Sequence, residues 1–446
     1  MKHADNYTFL TSAPIPKVIG TMAVPTIISM LVTSMYNIVD TFFVGQINTQ
    51  STAAVGITFS VMAIIHAFGF FFGHGSGNFI SRELGAKRKN TARAMATTGF
   101  VWSLIFGFAI LIAGQLLLTP LSVALGSTPT ILPYTERYMG VVLLGAPFMT
   151  ASLTLNNQMR LQGNASFSMY GIVSGAILNA LLDPIFIFVF GMGVAGAALA
   201  TVVGEITSFF ILLYMTKKGE NISIRLRDFS PSLRLLKEIF YGGSPSLSRQ
   251  GLGCIATILL NVAASAYGDA AIAAMSIVNR ICMFFMSIIV GLGQGFQPFC
   301  GFCYGARLYE RLKKGYWFTV KIGTAFLFVF VLVGFCFSSW GISVFRDDPN
   351  VIEIGVVALR FQLITIVTGS FIMTSNMMMQ TCRKPLKANL LSAARRGLYF
   401  IPLIIVLPHY FGLLGVEMCQ AWSDVFSFLT TVPVVWSFFR ELSVQA

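Results

Sequence analysis

Two apolar stretches of the sequence carry acidic side chains at spacings that suit ion binding. In residues 18–45, four polar residues fall on one face of a helix: Thr33, Tyr36, Asn37 and Asp40. In residues 165–190, Asn179 and Asp183 are four positions apart, and Pro184 follows directly. Because proline has no N–H group, the carbonyl of Ala180 loses its helical donor. A carboxylate, an amide oxygen and a free carbonyl within one turn suit a hard cation or a bound proton.

Acidic residues inside apolar segments are rare and usually functional. We therefore predict that Asp40, Asn179 and Asp183 bind a coupling H⁺ or Na⁺, with Thr201 of the next apolar stretch supplying another oxygen. The alternative is a structural polar cluster that holds three helices together. Apart from Na⁺ at this site, we expect no metal and no organic cofactor.

The elements that must position these residues are membrane-spanning helices. Of the 446 residues, 55% are hydrophobic and only 11% are charged. Soluble proteins carry about 25% charged residues, so a soluble globular enzyme is excluded. Apolar segments of spanning length occur at residues 18–45, 52–80, 93–118, 132–158, 165–190, 194–216, 238–265, 270–300, 315–341, 351–379, 386–408 and 412–439.

Basic residues cluster in every second loop between these segments. They lie at residues 82–93, at Arg160, and at residues 217–237, 307–314 and 383–387. This alternation follows the positive-inside rule, so both termini are expected in the cytoplasm and the chain in the cytoplasmic (inner) membrane. The polar residues 1–14 and the long apolar run that follows them argue against a cleaved signal. The net charge of +13 then reflects topology, and no nucleic-acid partner is expected.

The chain also contains an internal repeat. A shift of 220 residues superimposes Pro25 on Pro245 and Gly75 on Gly295. Six helices per repeat is an even number, so both repeats enter the membrane in the same direction, as in parallel-repeat transporters. We predict an all-α membrane protein with a six-helix lobe at residues 1–216, a cytoplasmic linker at 217–237 and a second six-helix lobe at 238–446.

The two repeats differ in their acidic residues. Leu260 stands at the place that corresponds to Asp40, so ion coupling is expected in the first repeat. Glu205 is a further candidate for the same cavity, but Asp424 occupies the matching place in the second repeat, which favours a structural role. Pro25 and Pro245 are predicted hinges because proline loosens a helix.

No phosphate-binding loop, metal cluster or nucleophile–base pair is present, so we expect a transporter driven by an ion gradient and not an enzyme. The seven cysteines lie in or beside apolar segments, which is not a disulfide framework. Cys300 and Cys303 form a lone C-x-x-C pair, which is a weak signal for metal or redox use.

Several short stretches together resemble the multidrug and toxic compound extrusion (MATE) family, over nearly the whole chain. They are Asn37-Ile-Val-Asp40, Ser81-Arg82-Glu83-Leu84-Gly85, Asn179-Ala-Leu-Leu-Asp183-Pro184 and Gly191-Met-Gly-Val-Ala-Gly196. The resemblance implies two bundles in a V around a cleft, and export of cationic, amphipathic drugs in exchange for H⁺ or Na⁺. It is strongest to the prokaryotic branch whose N-lobe site binds the coupling cation, which here matches Asp40, Asn179, Asp183 and Thr201. Another branch holds Na⁺ in the C-lobe, where this chain has no matching acid.

The expected protein is thus a secondary active multidrug exporter, acting as a monomer in the lipid bilayer on cationic or amphipathic drugs. The residues proposed for drug contact are Tyr36, Asn37, Asn156, Asn157 and Glu205. The alternative is a lipid-linked oligosaccharide flippase of the same superfamily. A flippase cleft needs several cations to hold pyrophosphate, and the candidates at membrane depth are Arg249 and Arg280.

Overall fold

The structure is a computed structural model that describes residues 5–445, without the side chains of residues 36–38, 41 and 445. The described residues form helices and no strands. The α-helices are α1 (Asn6–Ser12), α2 (Ile15–Gly45), α3 (Thr49–Gly85), α4 (Lys89–Leu116), α5 (Leu118–Ala124), α6 (Leu132–Leu144), α7 (Ala146–Leu161), α8 (Ala165–Pro184), α9 (Val194–Met215), α10 (Leu233–Ser265), α11 (Asp269–Gly305), α12 (Tyr309–Cys336), α13 (Ser338–Ser343), α14 (Pro349–Ile366), α15 (Gly369–Thr381), α16 (Pro385–Ala393), α17 (Phe400–Phe411) and α18 (Leu413–Gln445).

Within the described residues, 11 helices are long and apolar enough to cross a membrane. The number is 12 if α6 and α7, which are bent by 48° at Gly145, form one span. The prediction of an all-helical membrane protein with about a dozen spans is therefore confirmed. Continuous apolar length identified the spans because a bilayer core requires about 20 apolar residues per helix.

Several element boundaries differ from the sequence-based ones. The short helices α1, α5 and α13 were not predicted, because each is too short to show a periodic pattern. Helix α10 begins at Leu233, inside the predicted linker, where the Ser232 side chain accepts a hydrogen bond from the Leu235 N–H at 3.3 Å. The division into residues 1–216, 217–237 and 238–446 stays a prediction.

The prolines have different local effects. Pro25 and Pro245 both lie inside unbroken helices, α2 and α10, and their role as hinges stays a prediction. Pro184 is the last residue of α8, and a five-residue π-helix, Ile185–Val189, follows it. A second π-helix, Ala394–Leu398, joins α16 to α17. π-helical turns are uncommon and often mark functional sites.

Helix α1 joins several segments at one end of the bundle, the end that carries the Lys- and Arg-rich loops and is called the basic end below. The Asn6 N–H donates to Glu220 at 2.7 Å, and the Asn6 side chain donates to the Gln162 carbonyl at 3.3 Å. Arg311 of α12 donates to the carbonyls of Leu10 and Ala13. Helix α1 therefore ties the first repeat to the second.

The two repeats pack most closely in the half of the bundle that leads to the basic end. There α3 packs on α10, and α11 packs on α2. A Cβ atom added to Gly75 would overlap the carbonyl oxygen of Ile239, and one added to Gly295 would overlap the Cα atom of Ala23. Gly75 and Gly295 correspond to each other in the repeat, so the same close contact occurs twice. In each case the small glycine allows two helices to pack closely.

A methyl group added at Gly75 is expected to destabilise the contact between α3 and α10. We expect Gly75→Ala to lower the thermal unfolding midpoint in detergent, because overpacking costs about 1–3 kcal/mol. Gly56→Ala is the matched control in the same helix, since a Cβ atom at Gly56 would meet nothing within 4 Å. Equal midpoints for the two variants would contradict the close contact between α3 and α10.

Candidate functional site

The predicted acidic site is formed where α2, α8 and α9 meet, and these three helices are in mutual contact. Asp40 comes from the C-terminal part of α2, and Asn179 and Asp183 come from α8. All three side chains are buried: 7% of Asp40, 1% of Asn179 and none of Asp183 is exposed. The carboxyl groups of Asp40 and Asp183 lie within electrostatic range of each other. The structure therefore brings the three residues together, and we call them the acidic cluster.

The acidic cluster holds more hydrogen-bond acceptors than donors. Asn179 donates from Nδ2 to the Thr201 hydroxyl at 3.3 Å, and Tyr138 of α6 is a hydrogen-bond partner of Asp40. Four buried oxygens have no donor among the described residues. They are Asp40 Oδ1, Asn179 Oδ1, Asp183 Oδ1 and Asp183 Oδ2.

Buried acceptors without donors are costly, and buried carboxylates are costlier still. A proton on a carboxyl group, or a cation among the oxygens, would relieve both costs at once. Carboxylate, amide and hydroxyl oxygens are ligands that hard cations prefer. The arrangement therefore suits reversible binding of H⁺ or of an alkali cation. Among the described residues, no group of three or more His, Cys, Asp or Glu side chains could hold a metal ion.

The residues proposed for drug contact differ in their burial and in their hydrogen-bond partners. The side chains of Tyr36 and Asn37 lie outside the described part of the structure. Asn156 donates to the Ser168 carbonyl at 2.9 Å, and Asn157 is buried with its oxygen 2.5 Å from the Arg160 guanidinium. Both amides therefore have protein partners. Glu205 is half-buried on α9.

A buried polar network that sequence reasoning missed crosses from one repeat to the other. Arg160 of α7 is 1% exposed, and it donates to the Gln294 carbonyl of α11 at 2.5 Å. Its other nitrogen lies 3.2 Å from His74 Nε2, and His74 Nδ1 lies 3.0 Å from the Ser246 hydroxyl of α10. The Gln380 amide donates to the same hydroxyl at 2.8 Å. A buried charge of this kind needs partners, and two of the four partners of Arg160, Gln294 and Gln297, come from the opposite repeat.

The sequence-based analysis placed Arg160 in a loop, whereas the structure places it inside α7. Arg160 follows the fourth apolar segment and precedes Gly163 and Asn164, and this position gave no sign of burial. Tyr138 was missed for a similar reason, because only the fold shows that α6 reaches Asp40. The signal for both residues lies in tertiary packing.

An ion-pair cluster also joins the repeats at the basic end. Arg82 of α3 lies 3.1 Å from Glu238 of α10, and Arg383 lies 2.6 Å from the other Glu238 oxygen. Arg82 donates in addition to the Thr381 carbonyl at 2.7 Å. Arg82 belongs to the first repeat and its partners to the second, so the cluster closes the bundle at this end.

The MatE family model matches residues 25–185 and 245–405, one stretch in each repeat. The Multidrug export protein MepA of Staphylococcus aureus (strain MSSA476) is 27% identical over 450 residues, which cover 100% of this chain and 98% of that protein.

Two solved structures are also similar. One is described as the outward-facing conformation of a multidrug resistance MATE family transporter of the MOP superfamily, with a TM-score of 0.92, 29% identity, and 100% of this chain and 99% of that chain covered. The other is a MOP superfamily transporter from Pyrococcus furiosus, with a TM-score of 0.92, 28% identity, and 99% of this chain and 100% of that chain covered. Its description states that a binding pocket of reverse polarity suggests a different function for that protein.

These matches confirm the two-repeat helical fold and the predicted family. Both family segments begin at a proline that is shared by the repeats, Pro25 or Pro245. The chain therefore belongs to the multidrug and toxic compound extrusion (MATE) family.

Proposed function

We propose that this protein is a secondary active multidrug exporter, which exchanges cationic or amphipathic drugs for H⁺ or Na⁺ at the acidic cluster. The observation that carries the proposal is the set of four buried, donorless oxygens on Asp40, Asn179 and Asp183. Such a set is stabilised when a cation or proton binds and is destabilised when it leaves. The similarity to a protein named a multidrug export protein supports drugs as the exchanged substrate.

The proposed resting state is open to the outside and closed at the basic end, which we place in the cytoplasm. The ion-pair cluster at Glu238 and the tight contact at Gly75 support closure at that end. The similarity to a transporter described as outward-facing supports the same assignment. In this state the acidic cluster, near the outer end of α2 and α8, receives the external ion.

In the proposed cycle, a proton or Na⁺ enters the acidic cluster from outside and weakens the hold on the drug, which leaves outward. The lobes at residues 1–216 and 238–446, joined by the linker at 217–237, then rock about Pro25 and Pro245 and release the ion inward. One charge moving down 100 mV supplies about 2.3 kcal/mol, and each pH unit adds about 1.4 kcal/mol. One or two ions therefore suffice for a drug gradient of about tenfold to a thousandfold.

We place the protein in the cytoplasmic membrane as a monomer, with no cofactor beyond the coupling ion. Thr201 completes the cation site, and Glu205 and the side chains of Tyr36 and Asn37 are proposed to face the drug. Asn156 and Asn157 remain candidates for drug contact through atoms not used in the hydrogen bonds described above.

The test is ethidium efflux from proteoliposomes that contain the wild-type protein, with H⁺ and Na⁺ gradients imposed separately. We expect efflux under one of the two gradients, abolished by the ionophore that dissipates that gradient. Absence of ethidium movement under either gradient, with protein that is folded by its thermal unfolding profile, would contradict the proposal.

The alternative, a lipid-linked oligosaccharide flippase, rests on the basic residues at depth. Arg249 is half-buried and lies 3.2 Å from Asn376 Oδ1, whereas Arg280 is exposed. Only one of these two arginines is half-buried, which makes a weak pyrophosphate site, so drug export ranks first. Transbilayer movement of a fluorescent lipid-linked pyrophosphate sugar in the same proteoliposomes, without ethidium efflux, would favour the flippase.

A further inference from the structure

The second repeat contains a small, partly open cavity that the proposed cycle does not use. The cavity lies between α11, α14, α18 and the π-helix Ala394–Leu398. Its volume is about 20 Å³, which is the room that one water molecule needs. The polar residues that line it are Asn279, Gln362, Arg395, Arg396, Gln420 and Asp424. The cavity can therefore hold one small polar group.

The one acid in this lining is already satisfied. Arg395 donates to Asp424 Oδ1 from Nε at 2.7 Å and to Oδ2 from Nη2 at 3.1 Å. Gln420 donates to Oδ1 at 2.8 Å. Both carboxylate oxygens thus have donors, and the bidentate pair with Arg395 is neutral. The cavity therefore offers no free carboxylate to a cation.

The remaining polar groups in the lining include an arginine, which can only donate hydrogen bonds, and two amides. Arg396 is half-buried and makes no hydrogen bond or ion pair with another described residue. The side-chain amides of Asn279 and Gln362 also have no hydrogen-bond partner among the described residues. Cys282 is the other titratable group in the lining, and its thiol supplies no counter-charge. The lining thus carries one excess positive charge at membrane depth, where charges are normally paired.

We propose that this cavity binds a small monovalent anionic group, of the size of a halide ion or a carboxylate. The Arg396 guanidinium supplies the charge, and the amides of Asn279 and Gln362 supply further donors. Charge-assisted hydrogen bonds of this kind are stronger than neutral ones. The carboxylate of a transported drug and a free anion share this chemistry.

The cavity occupies the position in the second repeat that corresponds to the surroundings of Thr201 in the first repeat, but the two places carry opposite charge. A shift of 219 residues superimposes Gln420 on Thr201 and Asp424 on Glu205. In the first repeat, the surroundings of Thr201 contain acceptors without donors. In the second repeat, the surroundings of Gln420 contain a cation without an acceptor. The two repeats are thus suited to groups of opposite charge.

The binding test is thermal unfolding of the full-length purified protein in sodium formate or sodium chloride, against sodium gluconate at the same ionic strength. We expect the wild-type midpoint to rise by at least about 2 °C between 1 and 100 mM formate or chloride, by mass action. Arg396→Gln should abolish the rise and Arg396→Lys should retain part of it. Arg234→Gln, which removes an exposed charge, is the control and should behave as the wild type.

No anion-dependent rise in the wild type, or the same rise in Arg396→Gln, would overturn the proposal. The second outcome would mean that the anion binds elsewhere. Because this experiment needs no transport, its failure is distinguishable from failure of the export proposal.

A transport experiment shows whether the anionic group belongs to the drug or to a free anion. This experiment rests on the proposed export function. Rhodamine 110 carries a free carboxyl group, and rhodamine 123 is its methyl ester. If the drug supplies the anion, Arg396→Gln should slow efflux of rhodamine 110 at least about tenfold more than that of rhodamine 123, as expected when a charged hydrogen bond is lost. Equal slowing of both dyes, with the anion-dependent stabilisation present, would assign the site to a free anion.

Discussion

Replacing Asp183 with asparagine is expected to abolish gradient-driven drug efflux. Asparagine keeps the shape of the side chain but can neither carry a proton nor neutralise a cation. An imposed tenfold gradient of the coupling ion, exchanged one for one, should drive about tenfold drug accumulation through the wild type and none through Asp183→Asn. Asp40→Asn should have the same effect, since both carboxylates belong to the acidic cluster. The measurement is ethidium efflux from proteoliposomes that contain each variant, under a gradient of the coupling ion.

The same preparation contains its own control. Drug movement down a drug gradient, with no ion gradient, should persist in Asp183→Asn, because the lobes and the drug contacts are unchanged. Asp269→Asn removes an exposed acid at the start of α11 and should leave coupled efflux intact. Coupled efflux that survives both Asp40→Asn and Asp183→Asn would move the coupling site elsewhere, with Glu205 as the next residue to replace.

The second large effect is expected at Glu238. Glu238→Gln removes the charge that holds Arg82 and Arg383 together and leaves a buried arginine without its partner. Breaking a buried ion pair in this way costs about 3–5 kcal/mol. We expect a lower thermal unfolding midpoint and slower drug efflux, because closure at the basic end is weakened.

Glu441 offers a matched control for Glu238. It also pairs with two basic residues, Lys384 and Lys387, but 37% of its side chain is exposed and all three residues lie in the second repeat. Exposed pairs contribute about 1 kcal/mol or less. Glu441→Gln should therefore leave the midpoint and efflux close to wild type. Equal effects of the two substitutions would contradict a closing role for the cluster at Glu238.

Features that follow from local sequence were predictable. The spans follow from continuous apolar length, and the repeat follows from matching positions such as Pro25 and Pro245. The pair Asn179 and Asp183 could be placed on one helix face from its spacing alone. Its proximity to Asp40 was inferred from the scarcity of buried acids, and the structure brings all three residues together.

Features that depend on packing between distant segments were not predictable in the same way. Arg82 and Arg160 were assigned to basic loops, yet both are buried between the repeats. Charge count alone does not distinguish a solvated loop arginine from one that reaches back into the bundle. Arg395 and Arg396 are different, because both lie within the apolar segment at 386–408. The rarity of charge at membrane depth could have identified them.

The central claim is that the ion and the drug exclude each other through the acidic cluster. Its most direct test is to add ethidium to purified protein in unbuffered detergent solution and to measure released protons with an indicator dye and released ²²Na⁺ by filtration. The account predicts that ethidium binding releases one of these ions from the wild type, and that the Asp40→Asn/Asp183→Asn double variant releases neither. Ethidium binding to the wild type with no ion release, or equal release from the double variant, would contradict the account.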